Sequence, residues 1–175
     1  MTVPHDLRYP VGPFQARSLD PDATRVLIQA IAGHPAALRA AVAGLTDAQL
    51  DTPYRPGGWT VRQVTHHLPD SHMNAYVRMR KAVTEDEPAI VTYEEAEWAR
   101  LADSRLPVET SLRLLEALHE RWVAFLMGLD SALLQRTFRH PEWGAMSVAV
   151  AVQQYEWHGR HHIRHITALR EREGW

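Results

Sequence analysis

Four histidines fall within the eight residues His158–His165, inside a segment whose apolar residues recur at helical spacing. Imidazoles on the inward face of a helix need a hydrogen-bond partner or an ion, because burying them bare is costly. His158 and His162 are one helical turn apart, so they leave the same face and can converge on one ion. No other stretch of the chain is as dense in metal-ligating side chains. Stepping about 100° per residue, Ala151, Tyr155, Ile166 and Leu169 define the apolar face. His158 and His162 lie within that face, His165 at its edge, and His161 further round, towards Gln154 and Trp157. The wheel therefore favours His158 and His162 over the equally spaced pair His161 and His165. Trp157 and Ile163 lie off the stripe, which fits contact with a second subunit.

The rest of the chain supplies partners for such a helix. Residues 1–20 read as irregular, because prolines of fixed φ alternate with glycine in Tyr9-Pro-Val-Gly-Pro-Phe14. Asp20-Pro21 gives an N-cap and a proline at the first helical position, predicting a helix to about Ala32. Gly33-His34-Pro35 is predicted to interrupt it, with a second piece running on to Gly44 and a further turn at Thr46–Leu50. Thr60 caps a long helix reaching about Thr84, bent at Pro69. A short helix is expected around Glu94–Asp103. Val108–Leu129 carries Leu112, Leu115, Leu118, Trp122, Phe125, Leu126 and Leu129 on one stripe. Ser131–Gly144 is mixed, and Ser147 caps the last helix, to about Arg172. No strand pair is predicted. The expected fold is all-α: a single domain, residues 1–175, built as a four-helix bundle with short extra helices and an irregular N-terminal segment.

Composition narrows the function. The 175 residues carry a formal net charge of -2, so no excess of either sign recruits nucleic acid or an anionic membrane. No apolar run is long enough to span a bilayer, and Met1–Asp6 lacks the basic and apolar regions of a signal peptide. There is no cysteine, which removes disulfides, thiolate zinc sites and a protein thiol nucleophile, and fits a cytoplasmic location.

The long second helix holds His66, His67 and His72 against an apolar face of Val61, Val64, Leu68, Ala75 and Met79. His66 points away from that face and is expected in solvent. His67 and His72 sit on opposite borders, and spacing leaves the choice between them open. The segments Arg55-Pro-Gly-Gly-Trp-Thr-Val-Arg-Gln-Val64, His66-His67 and Asp70-Ser-His-Met-Asn-Ala-Tyr76 resemble the YfiT branch of the DinB/YfiT superfamily. The agreement extends to Arg8-Tyr-Pro10 with Gly12 and Phe14, to His119 with Arg121-Trp-Val123, to Arg136-Thr-Phe138 with His140-Pro-Glu142, and to Trp157-His-Gly-Arg-His-His162. This resemblance implies a four-helix bundle, often a homodimer, with one divalent metal on three histidines. It implies His67 as the first ligand, eight residues after Trp59, and His158 and His162 as the other two. Pro69 departs from the helix-compatible residue expected beside His67.

Three neutral imidazoles without a fourth protein ligand leave a position for water or substrate, the arrangement of a catalytic zinc site. Zinc is the first expectation and nickel the second, since imidazole suits both. The resemblance implies a metal-dependent hydrolase acting on a small molecule. The alternative is an S-transferase using a diffusible thiol such as bacillithiol, and a third reading is a metal-binding or sensor bundle without catalysis. No glutamate lies between His158 and His162, so this is not the His-Glu-x-x-His protease arrangement. The catalytic base is not legible. Asp70, Asn74 and Gln154 are within helical reach of the ligand positions and are candidates for supporting or substrate contacts. Arg160 is placed at solvent or a subunit interface. The six tryptophans are scattered over separate elements and read as packing. Glu94, Glu95 and Glu97 read as a solvated face. His5, His34, His119 and His140 are isolated in sequence and receive no chemistry.

Overall fold

Side-chain caps set where the long helices begin. In the computed structural model, which describes residues 6–175 and so leaves His5 outside, helix α1 (Pro21–Val42) starts where Asp20 Oδ1 accepts from the Ala23 N–H at 2.7 Å. After a single turn, α2 (Asp47–Leu50), Thr60 and Gln63 form a reciprocal capping box for α3 (Val61–Thr84). A short α4 (Glu95–Trp98) and a 3-10 turn at Ala102–Arg105 lead to α5 (Val108–Met127). Then come α6 (Ser131–Leu134), strands β1 (Thr137–His140) and β2 (Gly144–Ser147), and α7 (Val148–Glu173), capped by Ser147 and closed by Gly174 at φ +70°. Helices α1 and α3 each pack against both α5 and α7, which sets α1 and α3 across a diagonal of a four-helix bundle.

Two expectations fail here. The predicted break at Gly33-His34-Pro35 is absent, and α1 runs continuously through Pro35. A proline removes only the hydrogen bond to the carbonyl four residues back, here Ile31. That carbonyl has another partner, the imidazole of His119, whose Nδ1 lies 2.9 Å away. A strand pair also exists where none was predicted. Strands β1 and β2 form an antiparallel hairpin in register Thr137↔Ser147 to His140↔Gly144. Gly144 sits at φ +70°, a conformation open to glycine, and Phe138 and Met146 anchor the hairpin in the core.

The core has two apolar halves with a layer of imidazoles between them. Ile28 and Ile31, Ala75 and Met79, Trp122 and Leu126, and Ala151 and Val152 fill one end of the bundle. Leu38 and Ala41, Val61, Val64 and Leu68, Leu112 and Leu115, and Ile166 and Leu169 fill the other. Each long helix contributes histidine at the level between: His34 from α1, His67 and His72 from α3, His119 from α5, and His158 and His162 from α7. The bundle is thus apolar above and below its polar waist.

Gly159 shows how tightly the waist is packed. A Cβ at this position would stand 2.1 Å from His34 Nδ1 and 2.4 Å from its Cε1, so the glycine in the middle of α7 makes room for the His34 ring. Gly159→Ala gains helix propensity of about 1 kcal/mol but overpacks a core site, which typically costs about 1–3 kcal/mol and here is expected at the upper end. We expect Tm to fall by several degrees in a thermal melt and to recover when His34→Ala is added. An unchanged Tm in the single variant would show that His34 swings aside freely.

Candidate metal centre

At the waist, His67, His158 and His162 each bring one ring nitrogen to within 4.8 Å of the others. His67 comes from the second turn of α3, and the other two stand one turn apart on α7, which packs alongside α3. His67 Nε2 and His158 Nε2 are 3.2 Å apart. Two imidazole nitrogens at tetrahedral angles on an ion with bonds of about 2.0–2.1 Å would stand roughly 3.3 Å apart. The His67–His158 pair therefore fits a divalent ion in chemistry and spacing, and His162 brings a third nitrogen within 4.8 Å of both. Burial pushes the His67 imidazole down to about 4. Burial, reinforced by neighbouring imidazoles, holds His158 and His162 well below the ordinary histidine value. All three rings are neutral at pH 7, the form that binds metal.

One side of the cluster is walled and the other is open. Trp59 packs on His67 with ring centroids 4.7 Å apart and stacks on His162 at 6.3 Å. His158 and His162 keep part of their surface open to a cleft of about 640 Å³. Tyr155, Gln154, Tyr93, Arg78, Glu94, Glu95 and His140 also line that cleft. Arg78 Nε is buried without a hydrogen-bond partner, and the Tyr93 hydroxyl is buried beside Ser71. Burial, with Glu95 nearby, pushes the Tyr93 phenol up, and burial likewise raises the carboxyl of Glu95. Glu95 is an exposed residue at the mouth of the cleft. A larger cleft lies elsewhere, lined by Arg62 and Gln63, and contains none of these histidines.

The pair that the wheel set aside is buried for a different reason. His161 and His165, with His162, also bring nitrogens within 4.8 Å. His165 Nε2, however, donates to the Arg8 carbonyl at 3.2 Å, and its ring stacks on Tyr54 at 3.9 Å. His161 is stacked on Trp157 at 4.4 Å with Tyr9 over it at 6.0 Å. The N-terminal segment thus covers this face, and Trp157 Nε1 donates to the Gly12 carbonyl at 3.0 Å. Contacts within the chain account for the off-stripe Trp157, without a second subunit.

Several other expectations are corrected by tertiary contacts. His66 is buried, not in solvent: its Nε2 donates to the Leu106 carbonyl at 3.0 Å and its Nδ1 accepts from Ser111 Oγ at 2.7 Å. His72 lies wholly inside, with Nε2 3.2 Å from His158 Nδ1 and Nδ1 2.7 Å from His119 Nε2. His34 and His119, read as isolated, meet His72 with ring centroids 6.3 and 5.0 Å away. Trp59, Trp122 and Trp157 converge on the histidines although they come from separate elements. Gln154 lines the cleft. Asn74 bonds back to the Asp70 carbonyl at 2.9 Å, and burial raises the Asp70 carboxyl to about 6. Arg160 is exposed and pairs with Glu156 at 3.0 Å. Among the described residues no helix is long and apolar enough to cross a membrane.

Known proteins resemble the chain over nearly its whole length. A model of the DinB superfamily matches residues 30–166. A protein of Bacillus cereus that carries the provisional name metal-dependent hydrolase is 52% identical over 172 residues, covering 98% of this chain and 99% of that one. A relative in Bacillus mycoides with the same provisional name is 52% identical over 171 residues, 97% of this chain and 99% of its own. Among solved structures, YfiT from Bacillus subtilis superposes with a TM-score of 0.95 at 46% identity, covering 97% of this chain and 99% of that one. It is described as a metal-dependent hydrolase by inference, with an unusual four-helix bundle topology. A second solved four-helix bundle, at 20% identity and a TM-score of 0.57, shares the fold alone.

Proposed function

The chain belongs to the DinB superfamily, and on that premise we propose that it is a metal-dependent hydrolase whose ion sits on His67, His158 and His162. One observation carries the reading: of three neutral imidazoles that meet at the waist, His158 and His162 line an open cleft, with His67 buried behind them. A closed structural site would present a fourth protein ligand; three ligands, two of them lining a cleft, leave a position for water or substrate. Zinc is the proposed ion and nickel the second choice. Bound there, a divalent ion supplies Lewis acidity towards a carbonyl-type oxygen and lowers the pKa of water.

The chain's own residues do the rest. Trp59 shields the His67 side from solvent. Arg78 Nε and the Tyr93 hydroxyl, the latter beside Ser71, offer donors to a substrate oxygen. Glu95, with its carboxyl raised by burial, and His140 are the cleft's groups for moving a proton. His140 Nδ1 accepts from the Glu142 N–H at 3.2 Å, so its proton is on Nε2. A homodimer follows from the resemblance alone, and light scattering decides it.

The test is turnover of activated esters and amides by zinc-loaded and metal-stripped protein, with and without a small thiol. Metal-dependent hydrolysis that disappears in His67→Ala is the expected result. Loss of electrophile only when thiol is present would replace hydrolysis by thiol transfer. Turnover that survives metal removal would overturn the proposal.

A further inference from the structure

Hydrogen-bond direction runs in one sense through four helices. The Ile31 carbonyl can only accept, so His119 Nδ1, 2.9 Å away, carries a proton. The His119 ring is almost wholly buried, and no carboxylate bears on it, so it is neutral and its Nε2 is bare. The 2.7 Å contact between His119 Nε2 and His72 Nδ1 then requires the proton on His72 Nδ1. His72 is neutral for the same reason of burial, which leaves its Nε2 bare as an acceptor. The 3.2 Å contact from His72 Nε2 to His158 Nδ1 requires the proton on His158 Nδ1. His158 Nε2 is consequently bare, and it is the nitrogen that faces His67 Nε2 at 3.2 Å.

The anchor of this series is written into α1. Pro35 has no N–H to give to Ile31, so the carbonyl that receives His119 is one the helix itself leaves vacant.

We infer that His72 and His119 are positioning residues: they hold the proton of His158 on Nδ1 and aim a bare Nε2 at the metal position, through a relay anchored on the Ile31 carbonyl. Metal-binding histidines generally give their other N–H to a neighbouring acceptor, which fixes the ring's tautomer and orientation. Here that neighbour is another imidazole, backed by a third. The consequence for metal affinity rests on the three-histidine reading of the site; the proton placement does not.

Nitrogen-15 NMR of the ring nitrogens in metal-stripped protein reads the placement directly. His158 and His72 are expected with protonated Nδ1 and bare Nε2. Zinc affinity, measured by competition with a chelator, reads the consequence. His72→Leu removes the acceptor and is expected to weaken zinc binding about 10- to 100-fold. His72→Gln, whose Oε1 replaces Nε2 as acceptor, is expected to stay within a few-fold of the parent. A His158 proton on Nε2 in the parent protein, or equal effects of leucine and glutamine, would overturn the inference. Should the leucine variant not fold, the parent spectrum still decides. The expected tautomers in a protein that takes up no zinc would support the relay and count against the metal reading.

Discussion

His158→Ala is expected to abolish tight metal binding, with an affinity loss beyond the roughly 10- to 100-fold typical of disturbing a supporting contact. Of the three proposed ligands, His158 is the one tied to both neighbours: its Nε2 faces His67 at 3.2 Å, and its Nδ1 meets His72 at 3.2 Å. Removing the ring takes away a donor and also releases the relay behind it. His67→Ala and His162→Ala are expected to lose the ion as well. His161→Ala should retain it, because that ring is occupied by Trp157 and Tyr9 under the N-terminal segment. His66→Ala should bind metal yet lose stability, since its ring bridges Ser111 and Leu106. Equilibrium dialysis with zinc separates the two groups. Loss of binding in His161→Ala with retention in His158→Ala would move the site to the other face of α7.

Acid is expected to destabilise the metal-stripped protein through its buried imidazoles, beginning as the pH falls below about 6.5. His34, His119 and His165 lie outside the proposed ligand set, and burial pushes each of them down to about 4. The unfolded chain takes up protons near pH 6.5, where the folded chain refuses them. The stability these rings contribute is therefore complete above pH 6.5 and lost as the pH falls towards 4. A difference of about 2.5 units corresponds to roughly 3 kcal/mol for each ring. Three of them together approach the roughly 5–15 kcal/mol of a whole domain. Chemical denaturation between pH 7 and 4 should show a steep loss of stability, with the chain largely unfolded near pH 4. A denaturation midpoint independent of pH over that range would contradict this picture of the waist.

Much of the bundle was legible because its signals are local. Thr60 with Gln63, Ser147, and the apolar spacing in α3, α5 and α7 act within a turn or two, and those helices begin where expected, although α5 ends at Met127, two residues short of Leu129. The pair His158 and His162 was legible for the same reason. His67 was not separable from His72 by spacing, and the resemblance chose it. What stayed hidden depends on contacts between helices. A wheel assumes one buried face, but the start of α3 is enclosed almost all round, which is why His66 was placed in solvent. Pro35 looked like a break because propensity does not show that His119 satisfies the vacated carbonyl. The relay draws single histidines from α3, α5 and α7, and no pattern within one helix reveals it. The one local hint was Gly159, a helix-interior glycine whose missing side chain makes room for His34.

On this reading the waist holds one divalent ion on three histidines. Metal analysis of untagged protein, purified without added metal and then titrated with zinc, decides it. We predict about one equivalent of zinc or nickel per chain, retained through gel filtration and absent from His158→Ala treated in parallel. Protein that carries no metal and takes up none would contradict the claim and leave a bundle with an imidazole core.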